Sequence, residues 1–205
     1  MPLCSFLVIG QKALASPDFR LDDLPSTGGR LDALVRCLRA ALLVSHGVRR
    51  DVVVYLILRG GPDAPRVLRV HGERAEYLRP DERSLAVLVQ KALASASPDA
   101  VGFGPEKRGV SVARGDLELA LADVAEARLF VLEETGEDAR GAPLDDAPLA
   151  FVLGDPLGFD GPTREALARA GARPVSVGPV SLHTEDVITV ITNELDRRVP
   201  RSPRS

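Results

Sequence analysis

Three stretches of this 205-residue chain place a glycine at or just beyond the end of an apolar run. Glu133-Glu134-Thr135-Gly136 follows Leu132, Gly154 follows Leu153, and Gly178 follows Val177. Glycine at a strand end lets a ligand approach bare backbone, and the N–H and C=O groups there can read an adenine edge without a charged side chain. Glycine after a strand is also ordinary chain punctuation, so both readings stand. A second group, Arg30 and Asp32, lies where a long polar segment, 11–29, gives way to a helical pattern. A helix start favours anions such as phosphate, but a first-turn carboxylate is also a plain dipole partner worth ~0.3–1 kcal/mol. Asp155 is either a base in the Gly154 loop or a turn residue ahead of Pro156. His46, just before Gly47, reads as a helix C-terminal cap, and His183 as a hydrogen-bonding residue bordering the Gly178 loop.

Other chemistries lack their residues. There is no G-x-G-x-x-G after the first strand and no G-x-x-x-x-G-K-[ST], so dinucleotide and Walker-type phosphate sites have no support. H-E-x-x-H, a Cys/His cluster and G-x-S-x-G are missing too, which leaves no metal partner and weakens a hydrolase reading. Cys4 and Cys37 sit in apolar runs and read as reduced packing residues of an intracellular protein. The net charge of -3 argues against a generally basic nucleic-acid binder. An RNA site must therefore be a local cluster of arginines, with Arg30, Arg36, Arg39, Arg49, Arg50 and the segment 197–204 as candidates, although each alone is an ordinary solvated charge.

The elements carrying these residues read as an α/β fold with a mostly parallel sheet flanked by helices. Strands are expected at 3–9, 51–58, 128–132, 149–153 and 174–177. Helices are expected from Arg30 with Gly47 as its cap, and over 84–96, 116–125, 161–170 and 184–197. A hairpin is expected from the runs 66–70 and 74–78. With 45% hydrophobic residues but only 4% aromatics, the core must be aliphatic. Residues 1–198 read as one domain and 199–205 as a mobile polar tail. No signal-peptide layout opens the chain and no apolar run approaches the ~20 residues of a membrane helix, so the expected location is the cytoplasm, with no membrane partner.

Longer motifs then speak together. The N-terminal part carries Phe6-Leu7-Val8-Ile9-Gly10, Ser16-Pro17-Asp18-Phe19 and Asp23-Leu24-Pro25-Ser26-Thr27-Gly28-Gly29-Arg30-Leu31-Asp32. Leu43-Val44-Ser45-His46-Gly47-Val48-Arg49-Arg50-Asp51 and Tyr77-Leu78-Arg79-Pro80-Asp81-Glu82-Arg83-Ser84 follow. With Leu153-Gly154-Asp155-Pro156-Leu157-Gly158-Phe159 and Ser176-Val177-Gly178-Pro179-Val180-Ser181-Leu182-His183, they resemble the archaeal tRNA pseudouridine-54 N1-methyltransferase family and its bacterial relatives. The resemblance covers nearly the whole chain.

That resemblance implies a SPOUT methyltransferase fold with a C-terminal trefoil knot. It implies S-adenosylmethionine as cofactor, bent within three loops and held by Leu132, Leu153, Gly154, Gly178, Leu182 and Val187. RNA, most simply tRNA, is the implied partner, and the implied assembly is a homodimer. Its last helix would meet the partner through Val187, Ile188, Ile191 and Leu195, a stripe that could equally face the chain's own core. For methylation at N1 of pseudouridine, Asp32 is the expected acceptor of the N1 proton, with Asp155 as competitor. Arg30 is the expected cation beside the carbonyl oxygen or a phosphate clamp. Another RNA such as rRNA, or a catalytically silent SPOUT-fold RNA-binding or assembly factor, are the alternatives. The chain departs from the family pattern at Val187, where a Cys is expected, and at Thr184-Glu185-Asp186, where a more His-rich start is expected.

Overall fold

The apolar run that opens the chain becomes the centre of a seven-stranded sheet. The computed structural model describes residues 3–97, 102–145 and 148–198, so the tail expected over 199–205 lies outside the described residues. In chain order the elements are β1 (Cys4–Leu14), α1 (Leu24–Thr27), α2 (Leu31–Leu42), β2 (Leu43–Val44), β3 (Gly47–Val48), β4 (Val52–Gly60), β5 (Arg66–His71), α3 (Glu82–Ser95) and β6 (Val110–Arg114). They continue with α4 (Leu117–Asp123), β7 (Arg128–Asp138), β8 (Leu149–Gly154), α5 (Gly161–Arg169), β9 (Arg173–Ser176) and α6 (Thr184–Arg198). The sheet order is β6-β5-β4-β1-β8-β7-β9. The five strands from β4 to β9 in that order run parallel, while β5 and β6 join through antiparallel pairs.

Burial explains the run-on hydrophobicity of the central strands. Phe6 and Val8 face one layer, with α2, α3 and α6, while Leu7 and Ile9 face the other, with α4 and α5. A strand covered on both faces needs apolar residues at every position. The few aromatics stack in one row, Phe6 on Phe151 at 5.7 Å and Phe130 on Phe151 at 5.5 Å. Cys4 and Cys37 are free and buried as expected, and burial pushes both thiols well above the ordinary value, so neither is a nucleophile.

Four sequence expectations need correction. The segment after Gly10 is not all loop: β1 continues to Leu14, which pairs with Gly60 beyond an irregularity, and α1 follows. The helix from Arg30 ends at Leu42, because 43–48 turn back as a two-residue hairpin, Leu43 opposite Val48. His46 and Gly47 thus belong to that hairpin and cap no helix. Residues 74–78 form no strand; β5 pairs with β4 and β6 instead. Finally, β7 runs far past Leu132, to Asp138.

Candidate active site

The carboxyl ends of β7, β8 and β9 meet at one edge, where parallel sheets bind ligands. Leu132 and Glu137 both pair with Val175, so 133–136 bulge out of β7 between them. Gly136 is required there, since a Cβ would stand 2.4 Å from the Val175 nitrogen. After β8, Asp155 fastens the turn: its carboxylate accepts the Gln11 N–H at 2.8 Å and the Leu157 N–H at 2.9 Å. The Gln11 side-chain amide donates to the Gly158 carbonyl at 3.1 Å. After β9, the Ser176 hydroxyl donates to the Gly178 carbonyl at 2.9 Å and accepts its N–H at 3.1 Å. Gly178 has φ +148°, a conformation few side chains permit. The Thr184 hydroxyl donates to the Gly154 carbonyl at 2.7 Å, latching the start of α6 to the end of β8.

These three turns enclose a cavity of about 630 Å³, and Leu132, Leu153, Gly154, Gly178, Leu182 and Val187 all line it. Arg30 reaches the same cavity from the start of α2, and Arg36 joins it from further along that helix. Val180 and Leu182 on its wall and Leu157 in the β8 turn are exposed apolar side chains. Asp155 also lines the cavity, while its two oxygens each accept one backbone amide of the turn. His183 is exposed, and its carbonyl accepts the Asp186 and Val187 N–H groups at the start of α6.

Asp32 lies behind this surface, its side chain only 8% exposed. The Arg30 guanidinium donates to both its oxygens, at 3.1 and 3.3 Å, and Arg36 donates at 3.0 Å. Arg36 also donates to Glu185 of α6 at 2.6 Å and to Glu82 of α3 at 3.5 Å. Burial raises the Asp32 carboxyl, but the two guanidinium groups outweigh it and hold the group below the usual carboxylate value. Burial likewise works against charge on Arg36, and Glu185 and Asp32 more than restore it. Arg30 adopts a left-handed backbone, φ 71°, directly after Gly29 at φ 60°. Side chains held in such strained conformations cluster at functional sites.

Comparison with known proteins agrees with this geometry. A family model described as "Putative SAM-dependent RNA methyltransferase" matches residues 3–199. A tRNA (pseudouridine(54)-N(1))-methyltransferase of Methanosarcina acetivorans is 44% identical over 192 residues, 93% of this chain and 90% of that protein. The protein of the same name from Halobacterium salinarum is 40% identical over 193 residues, 93% and 95% of the two chains. This chain belongs to that family. The crystal structure of Archaeoglobus fulgidus Nep1 bound to S-adenosylhomocysteine superposes with a TM-score of 0.64 at 16% identity, covering 96% of this chain and 98% of that one. The fold is thus the SPOUT methyltransferase fold expected from the family motifs.

Within the family frame, several residues of the cavity escaped sequence reasoning. Arg36 is no diffuse RNA contact but the second clamp on Asp32, and the i,i+4 spacing of Asp32 and Arg36 was its available signal. Glu185, which stands where the sequence departs from the family pattern, pairs with Arg36 across 149 residues of sequence. Of the other arginines in the expected cluster, Arg49 pairs with Asp196 and Arg50 binds backbone carbonyls, leaving Arg39 exposed. Ile188 and Ile191 are fully buried, with Val187 and Leu195 packed against the same core, so the α6 stripe faces its own chain. Among the described residues, no helix is long and apolar enough to cross a membrane, and no group of three metal-ligating side chains occurs.

Proposed function

We propose that this chain is an S-adenosylmethionine-dependent methyltransferase acting on N1 of pseudouridine 54 in tRNA. One observation carries the reading. The backbone-rich turns after β7, β8 and β9 share one cavity with Arg30 and Arg36, the two guanidinium groups that clamp Asp32 behind its wall. The residues fit the cofactor: glycine turns offer free backbone to a heteroaromatic ring, and Leu132, Leu153, Leu182 and Val187 supply apolar walls within the size range of small-ligand pockets. S-adenosylmethionine brings an activated methyl group on a sulfonium sulfur. The chain's own residues then align the nucleoside and manage the proton on N1. Asp32, ionised at neutral pH, has room for one more hydrogen bond, because a carboxylate offers about four acceptor positions and Arg30 and Arg36 occupy three. It accepts the N1 proton's hydrogen bond, while Arg30 stabilises negative charge on the neighbouring carbonyl oxygen or holds a phosphate.

The same reading treats 1–198 as one catalytic unit of the cytoplasm, threaded at its C-terminus as a trefoil knot, and working as a homodimer. The relatives' names support the tRNA substrate. The test is mass spectrometry of nucleosides after incubation with isotopically labelled cofactor and tRNA carrying pseudouridine 54. Labelled N1-methylpseudouridine is expected. Label in another nucleoside, or in rRNA alone, would reassign the substrate, and no transfer to any RNA would leave a silent RNA-binding factor.

A further inference from the structure

Away from the cavity, two of the three non-glycine residues with left-handed backbone among the described residues are stacked on each other. Tyr77 has φ 56° and Arg108 has φ 52°, and the Arg108 guanidinium lies 4.9 Å from the centre of the Tyr77 ring. A bulky side chain at positive φ is a genuine outlier. Yet Tyr77 is 78% exposed, the most exposed of the large apolar side chains, so the strain wins no burial.

The backbone on either side of this stack is tied down. The Arg50 guanidinium donates to the carbonyls of Gly72, Glu73 and Ala75 at 3.2, 2.9 and 3.3 Å. Ala75 is buried, and Gly109 packs so closely on it that a Cβ there would meet the Ala75 nitrogen at 2.5 Å. Arg74 pairs with Glu106 at 2.6 Å, tying the two loops again. The segment beyond Tyr77 carries exposed Arg79 and Arg83, neither of which forms an ion pair among the described residues. It leads into α3, whose Glu82 binds Arg36 of the cavity.

We infer that Tyr77, stacked on Arg108 and followed by Arg79 and Arg83, is a docking platform for an unpaired nucleobase and its adjoining phosphates in the RNA substrate. This rests on the RNA methyltransferase reading above and adds a second contact to it. A single-stranded loop fits the chemistry: an exposed aromatic face takes any base by stacking, a guanidinium on the same ring reinforces it, and free arginines follow the backbone. The backbone that carries the tyrosine and its arginine is tied down before binding, which lowers the ordering cost of the encounter.

The test measures binding of a fluorescently labelled, pseudouridine-containing tRNA in the presence of S-adenosylhomocysteine. Tyr77→Asn keeps a residue that accepts left-handed backbone, and Tyr77→Phe keeps the ring. The expected result is a loss of tRNA affinity of roughly fivefold to a hundredfold for Tyr77→Asn and near-full retention for Tyr77→Phe. Calorimetric affinity for S-adenosylhomocysteine should be unchanged in both. Arg79→Ala and Arg83→Ala should each lower the slope of log affinity against log salt by about one. Wild-type protein that binds tRNA while Tyr77→Asn binds equally well overturns the platform and leaves the methyltransferase reading intact. Wild-type protein that binds no RNA overturns both.

Discussion

Asp32 holds two guanidinium groups with one buried carboxylate, so its structural role can be separated from the catalytic role proposed for it. Because its carboxyl is held below the ordinary value by Arg30 and Arg36 against the effect of burial, the ionised form is favoured by folding. Its stabilising contribution is therefore complete above the unfolded value of about 4 and is lost as pH falls through the lower folded value. Asp32→Asn should melt below wild type at neutral pH, with the gap closing in acid; equal midpoints at neutral pH would contradict the ion-pair geometry. The catalytic role reads out differently. At a temperature where the variant is fully folded, single-turnover methylation with saturating cofactor should slow by roughly 10²–10⁴, the usual worth of a positioned proton acceptor. Cofactor affinity should hold. Normal turnover in the folded variant would move the acceptor role to Asp155, which lines the cavity and accepts only the Gln11 and Leu157 amides, or to solvent. Arg30→Ala should weaken RNA binding and flatten its salt dependence, and unchanged binding at low and high salt would remove it from the interface.

At the scale of elements, the two glycine turns make different demands on a substituted side chain. A Cβ at Gly154 would come within 3.1 Å of the Gly158 backbone, so Gly154→Val must reshape its own turn. Gly178 has open space around it but a φ of +148°, so Gly178→Val forces the backbone and crowds any ligand approaching it. Both variants should lose cofactor binding by calorimetry while their circular dichroism stays native. Native affinity in both would place the cofactor elsewhere. These turns were legible in the sequence because an apolar run followed by glycine is a local signal. The sheet's parallel centre was legible for the same reason, from runs such as 6–9 and 52–58 with no polar alternation. What stayed hidden depends on partners distant in sequence. The continuation of β1 through Gln11 needs Gly60 and Asp155, and the second half of β7 needs β9. The Arg36–Glu185 pair joins helices at opposite ends of the chain, which no window of neighbouring residues contains.

For the whole molecule, assembly is the property most changed by seeing the structure. The stripe Val187, Ile188, Ile191, Leu195 satisfied the sequence criterion for an interface, but within a single chain it is already covered by the core around α2. Ile191 is 0% exposed, so Ile191→Glu would bury an unpaired carboxylate in an apolar layer, a change expected to unfold the protein. Unfolding in that variant reports on the core and says nothing about a partner. If the chain forms the homodimer proposed here, the contact must use side chains left outside: on α6 these include Thr189, Val190 and Asn193, and around the cavity Leu157, Val180 and Leu182 stay exposed. Val190 is 39% exposed, and a charge there remains solvated in the monomer. Val190→Glu should therefore keep a wild-type melting profile as a monomer yet shift the sedimentation coefficient from dimer to monomer at micromolar concentration. A dimer that survives Val190→Glu would place the interface off the outer face of α6. Wild-type protein sedimenting as a monomer at that concentration would end the homodimer proposal altogether and leave the exposed Leu157, Val180 and Leu182 to be covered by cofactor or RNA alone.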